Sequence, residues 1–171
     1  MVRRIGIAAA VLVLVVLFSG VVAAGNYVAG LWEPGEVTIV GLEGELQLSP
    51  ELSVRGSYKT AGIASVSRLA LRYSLGQTET SSWGVEVGTG AVSVLILSVS
   101  AYTIGLYSST EVGQGLSLHG RAVYAFIPNA GGTWVAEGEA RKQLSDKFFL
   151  LGRLTFSEGT SGTTVGLGTT F

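Results

Sequence analysis

Apolar and polar residues alternate along most of the chain after its first 25 positions. A period of two is the pattern of a β-strand with one apolar face and one small or polar face. In the last segment, for example, Val165, Leu167 and Phe171 alternate with glycines and threonines. Turn residues separate the segments from one another. The pattern predicts strands at 37–48, 52–60, 65–75, 83–90, 100–107, 116–126, 133–143, 147–156 and 163–171.

The predicted strands number nine, whereas membrane barrels built from one bacterial chain have an even number of strands. Residues 26–32, with the sequence NYVAGLW, form a short additional strand if the total is ten. The alternation is unclear over 90–100, and a different assignment there gives eight. Ten strands are favoured.

The first 24 residues have the order of a secretory signal peptide. Arg3 and Arg4 precede an apolar run over 5–18, and small residues at 22–25 suit a signal peptidase. The alternative is an uncleaved membrane anchor, because residues 5–24 are about long enough to span a bilayer. The predicted organisation is therefore a cleaved signal peptide over 1–24, followed by one β-domain over 25–171.

Composition indicates which solvent the apolar strand faces meet. Charged residues make up 13% of the chain, about half the usual share, and a net charge of −1 provides no field for nucleic acid. The chain has no cysteine, so no disulfide stabilises it. Aromatic residues near strand ends, such as Tyr58, Trp83 and Trp134, are typical of the two interfacial girdles of a membrane barrel. The predicted fold is all-β, a transmembrane up-and-down antiparallel β-barrel of about 8–10 strands, ahead of a sandwich or a soluble barrel.

The C-terminal sequence VGLGTTF resembles the last strand of small Gram-negative outer-membrane β-barrel proteins. The resemblance implies that the barrel assembly machinery recognises this strand through Leu167, Thr169 and Phe171, of which Thr169 matches least well. It also implies a location in the cell outer membrane, contact with outer-membrane lipid, and termini on the periplasmic side. The turns at 49–51 and 145–147 would then be periplasmic, and those at 59–62, 127–132 and 157–162 external. No subfamily is indicated.

Charges on the polar strand faces fall opposite charges of the other sign when residues are counted outward from each turn. The predicted pairs are Glu45–Arg55, Arg72–Glu86, Arg121–Glu137, His119–Glu139 and Glu137–Arg153. Side chains largely fill a barrel of this size, and an unpaired ion inside it costs several kcal/mol. The row formed by Arg121, Glu137 and Arg153 is therefore predicted to plug the lumen. A gate or ion path is the alternative function of the same row.

One group of residues has the composition of a catalytic site. His119 follows Ser117 by two residues, with Glu139 predicted opposite, and these are the residue types of an activated hydroxyl nucleophile. The group is predicted to lie in the lumen, whereas lipid chemistry needs access to the outer leaflet. We predict no enzyme, no cofactor and no metal site. The favoured function is a small outer-membrane barrel, structural or weakly conducting; a lipid-A-modifying enzyme and a soluble periplasmic ligand-binding barrel are the alternatives.

Overall fold

A computed structural model describes residues 26–171 as ten antiparallel strands. They are β1 (Tyr27–Glu33), β2 (Ile39–Gln47), β3 (Leu52–Ala61), β4 (Ala64–Gln77), β5 (Ser81–Val94), β6 (Leu97–Gly113), β7 (Leu116–Ile127), β8 (Gly131–Gln143), β9 (Phe148–Ser157) and β10 (Thr160–Thr170). Each strand pairs with its neighbours in sequence, and β10 pairs with β1, so the barrel is closed. The prediction of ten strands is confirmed. The predicted signal peptide over 1–24 lies outside the described residues.

The first strand and the β5–β6 hairpin account for the uncertain strand count. β1 occupies the segment NYVAGLW that completes the even number. β5 and β6 are longer than predicted, because the segment 90–100 contains one tight turn rather than a loop; Leu95 adopts a positive φ of 54° there. Within residues 26–171 no helix is long and apolar enough to cross a bilayer.

The outer face of the barrel carries an apolar band between two levels of aromatic side chains. Leu42, Leu71, Ile104, Leu150 and Leu167 are each roughly half exposed on this face. Aromatic residues near the end that holds the termini are Tyr73, Trp83, Phe148 and Phe171, and those toward the opposite end are Trp32, Tyr102, Trp134 and Phe156. Soluble proteins rarely expose so much contiguous apolar surface. Such a band is typical of the lipid-facing surface of a membrane barrel, and closure of the barrel pairs its first strand with its last.

Apolar side chains fill one side of the interior. The buried cluster consists of Tyr27, Ala29, Leu31, Phe149 and Leu151. The cluster connects β1 with β9 although β10 lies between them. This is possible because the inward-facing residues of β10 have small side chains. A Cβ atom at Gly168 would lie 2.2 Å from the Phe149 ring. The glycines and threonines of the last strand are therefore needed for large side chains to cross over them.

Candidate functional site

The rest of the interior is lined by charged side chains at the level of the apolar band. The same alternation that directs leucines outward directs these residues into the lumen. We call them the charged cluster, which comprises Glu43 and Glu45 of β2, Arg55 of β3, Arg68 and Arg72 of β4, Glu86 of β5, Arg121 of β7, Glu137, Glu139 and Arg141 of β8, and Arg153 of β9.

Glu43 is the centre of the first half of the charged cluster. Its Oε1 accepts hydrogen bonds from Nη2 of Arg55 at 2.6 Å, from Nη2 of Arg153 at 2.7 Å and from the Tyr27 hydroxyl at 2.8 Å. The Glu43 side chain is only 3% exposed. Two arginines and a phenol thus compensate the cost of burying this carboxylate.

Glu86 is the centre of the second half and is completely buried. Its Oε2 accepts from Nε of Arg72 at 2.8 Å, its Oε1 accepts from Arg68, and Nη1 of Arg121 lies 3.8 Å from Oε1. Arg72 and Arg121 extend the network from Glu86 to two further carboxylates. Nη1 of Arg72 donates to Glu45 at 3.0 Å, and Nη2 of Arg121 donates to Glu137 at 2.8 Å.

Several of these ion pairs connect strands that are not neighbours in the barrel. Arg153 and Glu43 join β9 to β2, and Nη2 of Arg55 lies 3.7 Å from Glu139 of β8. Side chains from separate parts of the wall can meet only if they extend across the lumen. The charged cluster therefore occupies the cross-section of the barrel rather than coating its wall.

Four of the five predicted residue pairs lie directly opposite each other in the barrel. Arg72 lies opposite Glu86 and Arg121 opposite Glu137, and both are ion pairs. Glu45 lies opposite Arg55 in the register but binds Arg72 and Ser53, while Arg55 turns to Glu43. The Arg55 side chain is long enough for its guanidinium to bind a carboxylate other than the one directly opposite on β2.

The remaining registers concern β8. His119 lies opposite Glu139 as predicted, but the Glu139 oxygens accept from Arg141 at 2.5 Å and from Arg153 at 2.6 Å. The imidazole Nε2 lies 3.0 Å from Oγ of Ser117 instead. Glu139 therefore orients arginines, and Ser117 and His119 form a pair inside the lumen without its help.

The predicted row of Arg121, Glu137 and Arg153 is wrong at its third member. Thr155 of β9 lies opposite Glu137, and Arg153 lies opposite Glu139. The β8–β9 turn is centred on Asp146, since the N–H groups of residues 144 and 145 both donate to the carbonyl oxygen of residue 148, at 2.8 and 3.2 Å. The prediction placed the centre one residue earlier, which displaces every cross-strand pair by two residues.

Sequence reasoning missed Glu43, Arg68 and Arg141, although the alternation places all three on the inward faces. Their neighbours across the sheet are uncharged: Glu43 faces Ala29 and Ser57, and Arg68 faces Ser57 and Gly90. A search for directly opposed charges cannot find such residues. Strand parity alone could have identified them.

A polar cavity of about 330 Å³ lies on the side of the charged cluster that faces the termini. The turns near Pro50 and Glu79 line its outer part, and Arg55, Arg72 and Arg153 line its inner part. Ser117 and His119 also line it. In the described part of the chain, no three histidine, aspartate or glutamate side chains come together in a way that could hold a metal ion. The cavity can hold water and small ions up to the level of the cluster.

Beyond this cavity, the charged cluster encloses a void of about 10 Å³ lined by Arg55, Arg68, Arg121, Glu43 and Ser57, with Ala70. Such a volume accommodates about one water molecule. Within residues 26–171, the Nε atoms of Arg68 and Arg121 have no hydrogen-bond partner.

The sequence matches no family model, and no curated protein is significantly similar to it. Solved structures do match the barrel. The KdgM porin has a TM-score of 0.56 and 12% identity over 85% of this chain and 99% of that chain. The barrel fold is therefore similar to that of this porin. The NanC porin is also similar, with a TM-score of 0.51 and 7% identity over 86% of this chain and 99% of that chain. At these identities the likeness concerns the fold alone.

Proposed function

We propose that the protein is a small integral outer-membrane β-barrel whose lumen is closed by the charged cluster and which passes at most water and small ions. The observation that carries this proposal is the set of ion pairs between non-neighbouring strands, above all Arg153 with Glu43. A side chain held by a partner across the lumen obstructs the passage. Because most of these ions are paired and buried, each opening movement must break several charge-assisted hydrogen bonds.

The apolar outer band and the porin-type fold support a location in the outer membrane. The signal-peptide pattern over 1–24 supports export. Leu167 and Phe171 are 55% and 40% exposed on the outer surface at the closing seam, where the assembly machinery could reach them. We infer that this machinery recognises the last strand.

The alternative functions are less well supported. A soluble periplasmic barrel would expose its apolar outer band to water, which is unfavourable by roughly 25 cal/mol per Å². A lipid-modifying enzyme would need its reactive group at the lipid surface, whereas Ser117 and His119 point into the lumen cavity.

Conductance in planar lipid bilayers tests the closed lumen. We expect the purified wild-type protein to conduct far less than a wide porin, and Arg153→Ala to raise the conductance several-fold because it removes a side chain that crosses the lumen. Glu43 and Glu139 keep Arg55 and Arg141 as partners in this variant. Lys142→Ala is the matched control, since Lys142 lies on the opposite strand face and binds the Gln114 carbonyl oxygen at 2.5 Å. A large conductance in the wild type would contradict the proposal.

A further inference from the structure

At the end remote from the termini, the β5–β6 hairpin extends past its neighbour β7. β6 pairs with β7 only from Tyr102 onward, so residues 97–101 pair with β5 alone. Tyr102 stacks on Phe126 at 5.5 Å and belongs to the aromatic level at that end. We call residues 64–67 of β4, 91–94 of β5 and 97–101 of β6 the flap. It begins where the apolar outer band ends.

The two faces of the flap are reversed relative to the band. The face that continues the lumen side carries two cross-strand rows, Val66–Val92–Val99 and Ala64–Val94–Leu97. The opposite face carries the rows Ser67–Ala91–Ser100 and Ser65–Ser93–Ser98. The register shift between β4 and β5 lies at residues 74–76, so Val66 shares the face of Arg68, which binds Glu86 in the lumen. The flap is therefore apolar inside and polar outside.

This reversal separates the apolar face from the bilayer. The serine rows are suited to water, and Oγ of Ser93 donates to Oγ of Ser98 at 3.0 Å along them. On the inner face, Val92 is 41% exposed and Leu97 73% exposed. Leaving such side chains in water is unfavourable. Membrane lipid cannot cover them, because they face the axis of the barrel.

The position of the apolar face restricts its occupant to a slender molecule. Each apolar row is only three residues wide and lies at the mouth of a ten-strand barrel, so the face matches the width of a slender molecule rather than a folded domain. Two basic residues lie at the lower edge: Lys59 is directly across from Val66 on β3, and Arg68, which is paired with Glu86, follows Val66 by two residues. Lys59 pairs with Glu33 and remains 24% exposed. An ammonium has three donors, so it can bind an anionic group in addition to Glu33.

We propose that the flap binds a single-chain aliphatic carboxylate from the aqueous phase, with the hydrocarbon chain along the valine rows and the carboxylate at Lys59. Methyl NMR of the full barrel in lipid nanodiscs, titrated with octanoate, tests this directly. We expect saturable shifts of the Val92 and Val99 methyl signals. Octanol should bind about tenfold more weakly because it lacks the charge-assisted hydrogen bond, and acetate should cause no shift.

Matched variants assign the two parts of the site. Val92→Asn should abolish the octanoate shifts at Val99, and Val99→Asn should do the same at Val92, whereas Ala91→Asn on the opposite face should leave them intact. Lys59→Gln should reduce octanoate affinity to the level of octanol and leave octanol binding unchanged. Heat-modifiable gel migration establishes that each variant is folded. Equal affinities for octanoate and octanol in the wild type would overturn the proposal, as would loss of binding in Ala91→Asn. Valine shifts that follow protein concentration would instead assign the face to a second copy.

Discussion

Small residues on the last strand and large residues on its neighbour depend on each other. Gly168 lies directly across from Phe149, whose ring covers the backbone of Gly168 inside the barrel. The alternation in the sequence predicts that Gly166 and Gly168 share an inward face, but it does not reveal why they are glycines. The reason is the close approach of side chains from β9 and β1, which only the three-dimensional structure makes visible.

Gly168→Val should destabilise the barrel by about 1–3 kcal/mol, because the added atoms overpack the Phe149 contact. Urea unfolding in lipid vesicles measures the loss. Gly138→Val is the control, since a Cβ atom at Gly138 has no heavy atom within 4 Å. Shortening the opposing side chain in the double variant Gly168→Val/Phe149→Leu should recover part of the stability. Equal effects at Gly168 and Gly138 would contradict the packing argument.

At the scale of strands and turns, the sequence predicts which elements exist better than it predicts their exact register. Counting outward from a turn works for the β4–β5 and β7–β8 hairpins and fails for β8–β9, where the centre of the turn lies at Asp146. The segment 90–100 was unclear for a different reason: the apolar residues move to the other face of the strands there. A strand prediction from alternating hydrophobicity assumes that the same face stays apolar along the whole strand.

Double-mutant cycles can measure the corrected register. We expect a coupling energy of at least about 1 kcal/mol between Arg121 and Glu137, which are bonded at 2.8 Å. Coupling between Arg153 and Glu139 should be of similar size, whereas Arg153 and Glu137 should show little. Unfolding free energies of the single and double glutamine or methionine variants in vesicles provide the values. Strong coupling between Arg153 and Glu137 would restore the row predicted from the sequence.

The faces of β4 can be tested along a single strand. Leu71 lies on the outer face within the apolar band, so Leu71→Arg should cost roughly 2–4 kcal/mol of folding free energy if it lies near the midplane. Ser67 lies on the same face but in the flap, and Ser67→Arg should cost little because that position meets water. Folding titrations in lipid vesicles compare the two variants. Similar losses at both positions would mean that the bilayer extends over the flap.

At the scale of the whole molecule, the barrel is closed by its shortest strand and its last strand. Tyr27 of β1 lies opposite Thr170 of β10, and the N–H of Phe171 donates to the carbonyl oxygen of Asn26 at 3.2 Å. The interior supports the same seam through the contact of the Tyr27 and Phe149 rings, whose centroids are 5.7 Å apart. Phe171 itself follows the last strand residue and points outward at the aromatic level near the termini. It therefore contributes little to packing within the barrel.

Deletion of Phe171 distinguishes a role of this residue in assembly from a role in the stability of the folded barrel. If the assembly machinery recognises this residue, the deletion should strongly reduce the amount of folded protein in the outer membrane of living cells. The free energy of folding from urea into lipid vesicles, where no machinery is present, should change by no more than about 2 kcal/mol, because the deletion removes one partly exposed side chain and one backbone hydrogen bond. Phe171→Trp, which keeps an aromatic side chain at the interface, should retain the yield in cells. A normal yield after deletion would show that assembly does not depend on Phe171, and a large loss in vesicles would mean that the residue holds the seam itself.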